Sequence, residues 1–359
     1  MFIRFKPQKF LKMKWFLLNI LNFQFYLSHY YRRWTFVTFL LIAIGIFIFS
    51  IVPHLGFDDP TSSSADDLHL PQSLQCPHKN NIKLEYGRSH LAHSRVIICG
   101  LIHDREQHIH RLRQQIEEIT PIFADYAIVI VESDSKDRTR HELIRWAQDK
   151  KVANRIHIIG CGNRASDDRP CNLLQISNRS TAHPDTPRIK KMVRLRNIYM
   201  QYIEDDIQLS KFDYVIVQDF DLRTYTYIDG LLSTGFHFGK DSTIDAICAN
   251  GINHHRILGR RRYYDPYAHK DEQNKDWSVW FNDQWSAIFR KYSCSTGLVS
   301  VQSCFSGATM YRYTSIKGKR YRTYIDSYQQ SICEHVGFHE TINKMYLNSE
   351  MIFYVIKNH

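Results

Sequence analysis

Two carboxylates one residue apart, at the end of an apolar run, are the strongest chemical signal in this sequence. Asp219 and Asp221 follow the run Tyr214-Val215-Ile216-Val217 in the order Gln218-Asp219-Phe220-Asp221-Leu222. On an extended chain residues two apart share a face, so both carboxylates can turn toward one hard divalent cation while Phe220 turns into the core. Such a pair leaves coordination places free for a diphosphate, whose departing oxygens the cation would neutralise. The competing reading is an ordinary solvated strand end. A second polar cluster, Glu132-Ser133-Asp134-Ser135-Lys136-Asp137-Arg138-Thr139, follows another apolar run, Tyr126 to Val131. A helix cap at Ser135 or Asp137 accounts for one or two of these residues. It does not account for Glu132 and Asp134, which are expected to contact a ribose or a base. Neither GxGxxG nor GxxxxGK(S/T) occurs, which counts against a dinucleotide enzyme and a P-loop phosphotransferase.

Neither cluster can act unless the chain holds it in place, and the patterning supplies the means. Arg95 to Ile102 is a largely apolar run, and Glu106 to Glu118 carries Ile109, Leu112 and Ile116 at helical spacing. The pattern repeats as a strand at Tyr126 to Val131, a helix at Asp137 to Gln148 and a strand at Arg155 to Ile159. After an insertion, Arg188 to Ile207 shows a helix face of Ile189, Met192, Val193, Tyr199, Met200 and Ile203, leading into Tyr214 to Val217. Apolar strands separated by helices predict a parallel sheet in an α/β domain, which binds ligands beyond the carboxyl ends of its strands. Both acidic clusters fall at such ends.

The remainder of the chain reads as an anchor and a tether. The sequence has 359 residues and a net charge of +11, but seven of that excess lie in the first 33 residues, which contain no acidic side chain. The charge therefore does not point to a polyanion-wrapping domain. Trp34 to Val52 is a nineteen-residue run without a charge, long enough to span a bilayer. The basic residues before it and the acidic stretch Asp58, Asp59, Asp66 and Asp67 after it predict a cytoplasmic N-terminus and a folded part across the membrane. The apolar stretch 15–27 is the weak point, since a hairpin would return the folded part to the cytoplasm. Residues 1–33 thus form a basic tail, 34–52 the anchor and 53–94 a Pro- and Ser-containing tether. Residues 95–359 are expected to form the folded domain, with 95–221 as a nucleotide-binding half and 222–359 as a second half for the other substrate. Cys161 with Cys171, or Cys294 with Cys304, could close short loops in an oxidising compartment; scattered reduced cysteines are the alternative. Asn178-Arg179-Ser180 is a glycosylation sequon. Arg256 and Arg260 to Arg262, with Tyr263 and Tyr264, lack any accompanying nucleic-acid recognition fold and suit an anionic glycan or a solvated loop.

From residue 95 to about 355 the chain resembles the membrane-anchored GT-A glycosyltransferases, nearest to the capsule-associated α-1,3-mannosyltransferase-like group. Glu132, Ser135, Asp137 and Thr139 match that group's Glu-x-x-Ser-x-Asp-x-Thr pattern, and Arg188, Met192, Arg196 and Asn197 precede the Asp-x-Asp. Asn250-Gly251, Tyr263-Tyr264-Asp265 and Ser303-Cys304-Phe305-Ser306-Gly307 are similar to its downstream elements, with Ser306 standing where a glycine is usual. The resemblance implies a GT-A-like, Rossmann-type mixed sheet flanked by helices. It also implies a nucleoside-diphosphate sugar donor, Mn²⁺ or Mg²⁺ on Asp219 and Asp221, and transfer of a hexose, with mannose as the candidate, to a glycan or glycoconjugate. Arg188 and Arg196 would supply positive charge to the diphosphate; the bland alternative is a solvated helix face paired to Glu204 or Asp205. The Cys333-Glu334-His335-Val336 element would place Glu334 as a base for the acceptor in an inverting transfer, and His335 on the metal or a phosphate. A carbohydrate-binding or structural protein with an inactive GT-A-like domain is the other class to separate.

Overall fold

The computed structural model describes residues 38–42, 76, 80–152, 154–160, 186–206, 208–225, 228–254, 261–272, 294–326 and 331–356. The chain divides into two compact units, residues 1–59 with 256–259, and residues 60–255 with 260–359. In the first, residues 38–42 are helical and exposed. The basic tail and the rest of the expected span 34–52 lie outside the described residues, among which no helix is long and apolar enough to cross a membrane.

The second unit is built on a mixed sheet. Strands β1 (Arg95–Ile102), β2 (Asp125–Glu132), β3 (Ile156–Ile159) and β4 (Tyr214–Gln218) are parallel in the order β3-β2-β1-β4. Helices α2 (Ile109–Ile119), α3 (Thr139–Ala147) and α4 (Thr186–Asp205) connect them, preceded by α1 (Asn81–Leu91). Alternate residues of each strand serve opposite faces, as the pleat requires. Ile97, Cys99 and Val217 join Leu195, Tyr199 and Ile203 of α4 in one core. Val96, Ile98 and Ile216 join Leu112 and Ile116 of α2 and Leu143 of α3 in the other.

Beyond β4 the expected parallel pattern ends. The described strands continue with β5 (Arg223–Thr224), β6 (Ala246–His254), β7 (Arg261–Tyr263), β8 (Leu298–Ser300), β9 (Ala308–Arg312) and β10 (Met345–Ile356). Strand β9 enters antiparallel between β4 and β6, and β10 runs parallel to β6. The sheet is therefore mixed, and the turn before β9 is brought against the end of β4.

Two expectations are corrected here. The folded part begins by residue 80 rather than 95, because α1 packs on helix α5 (Ile228–Lys240) at the end of the segment read as tether. The contact is so close that a Cβ on Gly87 would lie 1.8 Å from the Leu232 carbonyl oxygen. The Cys294–Cys304 pairing does not form: Cys294 bonds Cys76, and Cys304 bonds Cys248. Pairing of β6 with β9 places Cys248 opposite Thr309, beside the turn that carries Cys304. Cys161, Cys171 and the Asn178 sequon lie outside the described residues.

Candidate active site

Asp219 is held at the end of β4 by its own backbone, its N–H donating to the Gly307 carbonyl at 2.9 Å. Its Oδ2 accepts from the Tyr264 hydroxyl at 3.4 Å, and Arg196 lies 3.6 Å from Oδ1. Enclosure by protein and the like charge of Asp221 push the Asp219 carboxyl up to about 7, a shift that Arg196 opposes. The side chain nonetheless keeps 18% of its surface exposed, so a ligand can reach it. Arg105, from the loop after β1, donates through Nε to the Asp221 carbonyl at 2.7 Å and fixes the second half of the pair.

Arg196 joins Asp219 to a second carboxylate, Glu334. It projects from α4, is 2% exposed, and donates through Nε to Glu334 Oε1 at 3.1 Å. Its guanidinium lies over the rings of Phe305 and Tyr321, at 5.1 and 5.6 Å from their centroids. Its neighbour Asn197 clamps the backbone of Tyr321, donating to the carbonyl at 3.0 Å and accepting from the N–H at 2.7 Å. Glu334 opens the short helix α6 (Glu334–His339) and is thereby brought to α4 across 138 positions of sequence.

The polar cluster after β2 divides into two roles. Glu132 is fully buried; Oε1 accepts from the Ser135 N–H at 2.7 Å, and Oε2 from Arg140 Nε at 2.8 Å. Both of its oxygens are thus engaged within the chain, and its evident task is to shape the turn. Asp137, one residue before the N-cap of α3, accepts from the Thr139 N–H at 3.0 Å and from the Glu106 N–H at 3.0 Å. Asp134 differs from both. It sits in the left-handed region at φ 57°, and its Oδ1 is buried without a hydrogen-bond partner. Burial raises its carboxyl pKa, against the pull of Lys191.

Of the remaining expected residues, Arg188 is exposed near the start of α4 and acts electrostatically on Tyr267. His335 is buried and lies flat on Phe305, with centroids 3.7 Å apart and planes at 15°; both its ring nitrogens lack a hydrogen-bond partner. Burial and the Arg196 charge hold it well below the usual imidazole range. Among the described residues no three His, Cys, Asp or Glu side chains converge to hold an ion. The three-ligand set Asp219, Asp221 and His335 is therefore not assembled: His335 is packed among Phe305, Tyr321 and His339 instead. Asp219 and Asp221 by themselves fit a hard divalent cation, because they are oxygen donors and the first is strained electrostatically by the second.

Sequence patterns assign Arg105 no role, and they assign Tyr264 and Asp265 only a match to a downstream element and, for Tyr264, an anionic-glycan contact. Asp265 adopts φ 59°, and burial with the charges of Asp219 and Glu334 raises its carboxyl well above the usual range. Besides the Tyr-Tyr-Asp match, the sign of its conformation is the aspartate itself, which tolerates the left-handed region better than most residues.

A mixed sheet flanked by helices, with paired carboxylates beyond a central parallel strand, is the architecture of a GT-A-like α/β protein. Residues 95–340 match the family described as cryptococcal mannosyltransferase 1, and the chain belongs to that family of glycosyltransferases. Solved structures are more distantly similar. S. aureus TarS in complex with UDP-GlcNAc is 13% identical, with a TM-score of 0.39, over 74% of this chain and 59% of that one. The mannosyltransferase PcManGT from Pyrobaculum calidifontis, in complex with GDP-Man and Mn²⁺, is 10% identical, with a TM-score of 0.40, over 76% and 63%. The chain thus spans about six-tenths of the length of these structures. No protein of curated function matches it.

Proposed function

We propose that the chain transfers a hexose, mannose first among them, from a nucleoside-diphosphate sugar to a hydroxyl of a glycan or glycoconjugate, with the help of a divalent cation. The observation that carries this reading is the Asp219 carboxylate, held beside Asp221 at a rigid strand end, raised by burial and then by its neighbour's charge, and open to a ligand. Family membership supports the sugar. Asp219 and Asp221 would hold Mn²⁺ or Mg²⁺, which when bound neutralises charge on the diphosphate as the sugar bond breaks.

The chain's own residues account for the remaining tasks. Asp134 has a buried oxygen left for a ribose or base. Arg188, exposed on α4, is the arginine available to phosphate, because Arg196 is committed to Glu334 and Asp219. Glu334, oriented by Arg196, accepts the acceptor's proton in an inverting transfer. Two disulfides suit an oxidising compartment. With the uncharged run 34–52, they support a single-pass protein whose N-terminus is cytoplasmic and whose catalytic unit faces the Golgi or ER lumen, or the periplasm. The test is turnover by the full chain of GDP- and UDP-sugars with and without Mn²⁺. Mannose transfer from GDP-mannose is expected. No turnover of any nucleotide sugar by a folded, metal-supplied protein would leave a carbohydrate-binding or structural role.

A further inference from the structure

The turn that receives the Asp219 N–H is strained, and a buried relay is attached to the strained residue. Ala308 N–H donates to the Phe305 carbonyl at 3.1 Å, closing a four-residue turn whose central residues Ser306 and Gly307 have φ of 55° and 87°. Positive φ at both positions belongs to type I′ turns, which favour glycine or asparagine. Gly307 meets that demand, and a Cβ there would also strike the Phe353 ring at 2.2 Å. Ser306 does not, and left-handed backbone at a residue with a Cβ carries a cost.

The Ser306 hydroxyl is bonded to the Tyr263 hydroxyl, and Tyr263 lies 3.4 Å from His269 Nδ1. His269 Nε2 is 3.3 Å from Asp271 Oδ2. All four residues are buried. With the Asp271 carboxylate accepting from His269 Nε2–H, the ring, the Tyr263 hydroxyl and the Ser306 hydroxyl form one continuous chain of buried hydrogen-bonding groups. Ser306 is fully enclosed, so this is not a nucleophile's triad.

Two other groups of the turn reach the site. Phe305 carries the His335 stack and the Arg196 guanidinium, and the Gly307 carbonyl holds Asp219. We infer that Asp271, His269 and Tyr263 form a positioning relay that holds Ser306 in the left-handed conformation and so sets Asp219 for transfer. The inference rests on the function proposed above.

The experiment is a cycle of Tyr263→Phe and Ser306→Gly in the full chain, read by mannose transfer and by hydrogen exchange at the Asp219 amide. Tyr263→Phe alone should lower transfer about tenfold and speed Asp219 exchange to a similar degree, the effect expected from losing one buried hydrogen bond. In the Ser306→Gly background the same change should alter both by less than about twofold, because glycine takes positive φ without a tether. Equal losses in both backgrounds, or unchanged Asp219 exchange in Tyr263→Phe, would overturn the relay. If the parent chain transfers no sugar the proposed function fails, and the exchange cycle still decides the relay.

Discussion

Arg196 donates to Glu334 at 3.1 Å inside the protein, and neither side chain is more than 6% exposed. A buried ion pair of this kind costs desolvation that only good geometry offsets, so its removal leaves a stranded charge. Arg196→Met should destabilise the fold by roughly 3 kcal/mol in denaturant titration. Arg196→Lys should preserve more of the stability but reduce transfer by about 10²-fold, because a point charge cannot face Glu334 and Asp219 together. Full activity in the lysine variant would show that a charge alone suffices.

Asp134 and Glu132 should separate under mutation. Asp134→Asn tolerates the same backbone and should weaken nucleotide-sugar binding by about tenfold in calorimetry while leaving the melting temperature unchanged. Glu132→Gln removes the charge that Arg140 Nε donates to and one acceptor of the turn, and should cost about 2 kcal/mol of stability. The reverse pattern would exchange their roles.

His339 predicts acid sensitivity. Its Nδ1 bonds Ser303 Oγ at 2.8 Å and its Nε2 the Tyr311 hydroxyl at 2.7 Å, while burial and then Arg196 push the folded pKa down to about 3. The unfolded ring binds its proton near pH 6.5, so between 6.5 and 3 the unfolded state holds the extra proton. The stability linked to the neutral ring is complete above 6.5 and is lost as pH falls toward 3, by up to roughly 5 kcal/mol. His339→Phe should be less stable at pH 7 yet lose stability less steeply between pH 6 and 4. An unchanged slope would mean that His339 does not resist protonation.

Helix α1 should be integral to the catalytic unit. Gly87→Ala places a methyl group against the Leu232 carbonyl and should destabilise the domain by about 2 kcal/mol or more. A neutral result would return residues 80–94 to the tether.

Much of the parallel half was legible because its information is local. Strands β1, β2 and β4 are short Val- and Ile-rich runs, and the intervening helices show apolar residues at helical spacing. Helix α1 was missed for a physical reason: it buries only Gly87 and Leu91, so it has no apolar stripe to read. The antiparallel entry of β9 and the disulfide partners are set by tertiary pairing that no local pattern encodes. The same division runs through the site. Asp219 and Asp221 announce themselves by spacing, whereas the meeting of Arg196 with Glu334 and the enclosure of Asp265 depend on distant segments closing together. His335 looked like a ligand from its motif, and its stacking on Phe305 was invisible in the sequence.

The most direct test of the central claim is Mn²⁺-stimulated transfer by the Asp219→Asn, Asp221→Asn double variant. Both asparagines keep the shape of the strand end while removing the charges proposed to hold a cation, and they remove a carboxyl that burial and the charge of Asp221 both raise. The variant should therefore fold at least as stably as the parent without metal and lose at least about 10²-fold in turnover. Undiminished, metal-independent transfer by that variant would contradict the assignment of Asp219 and Asp221.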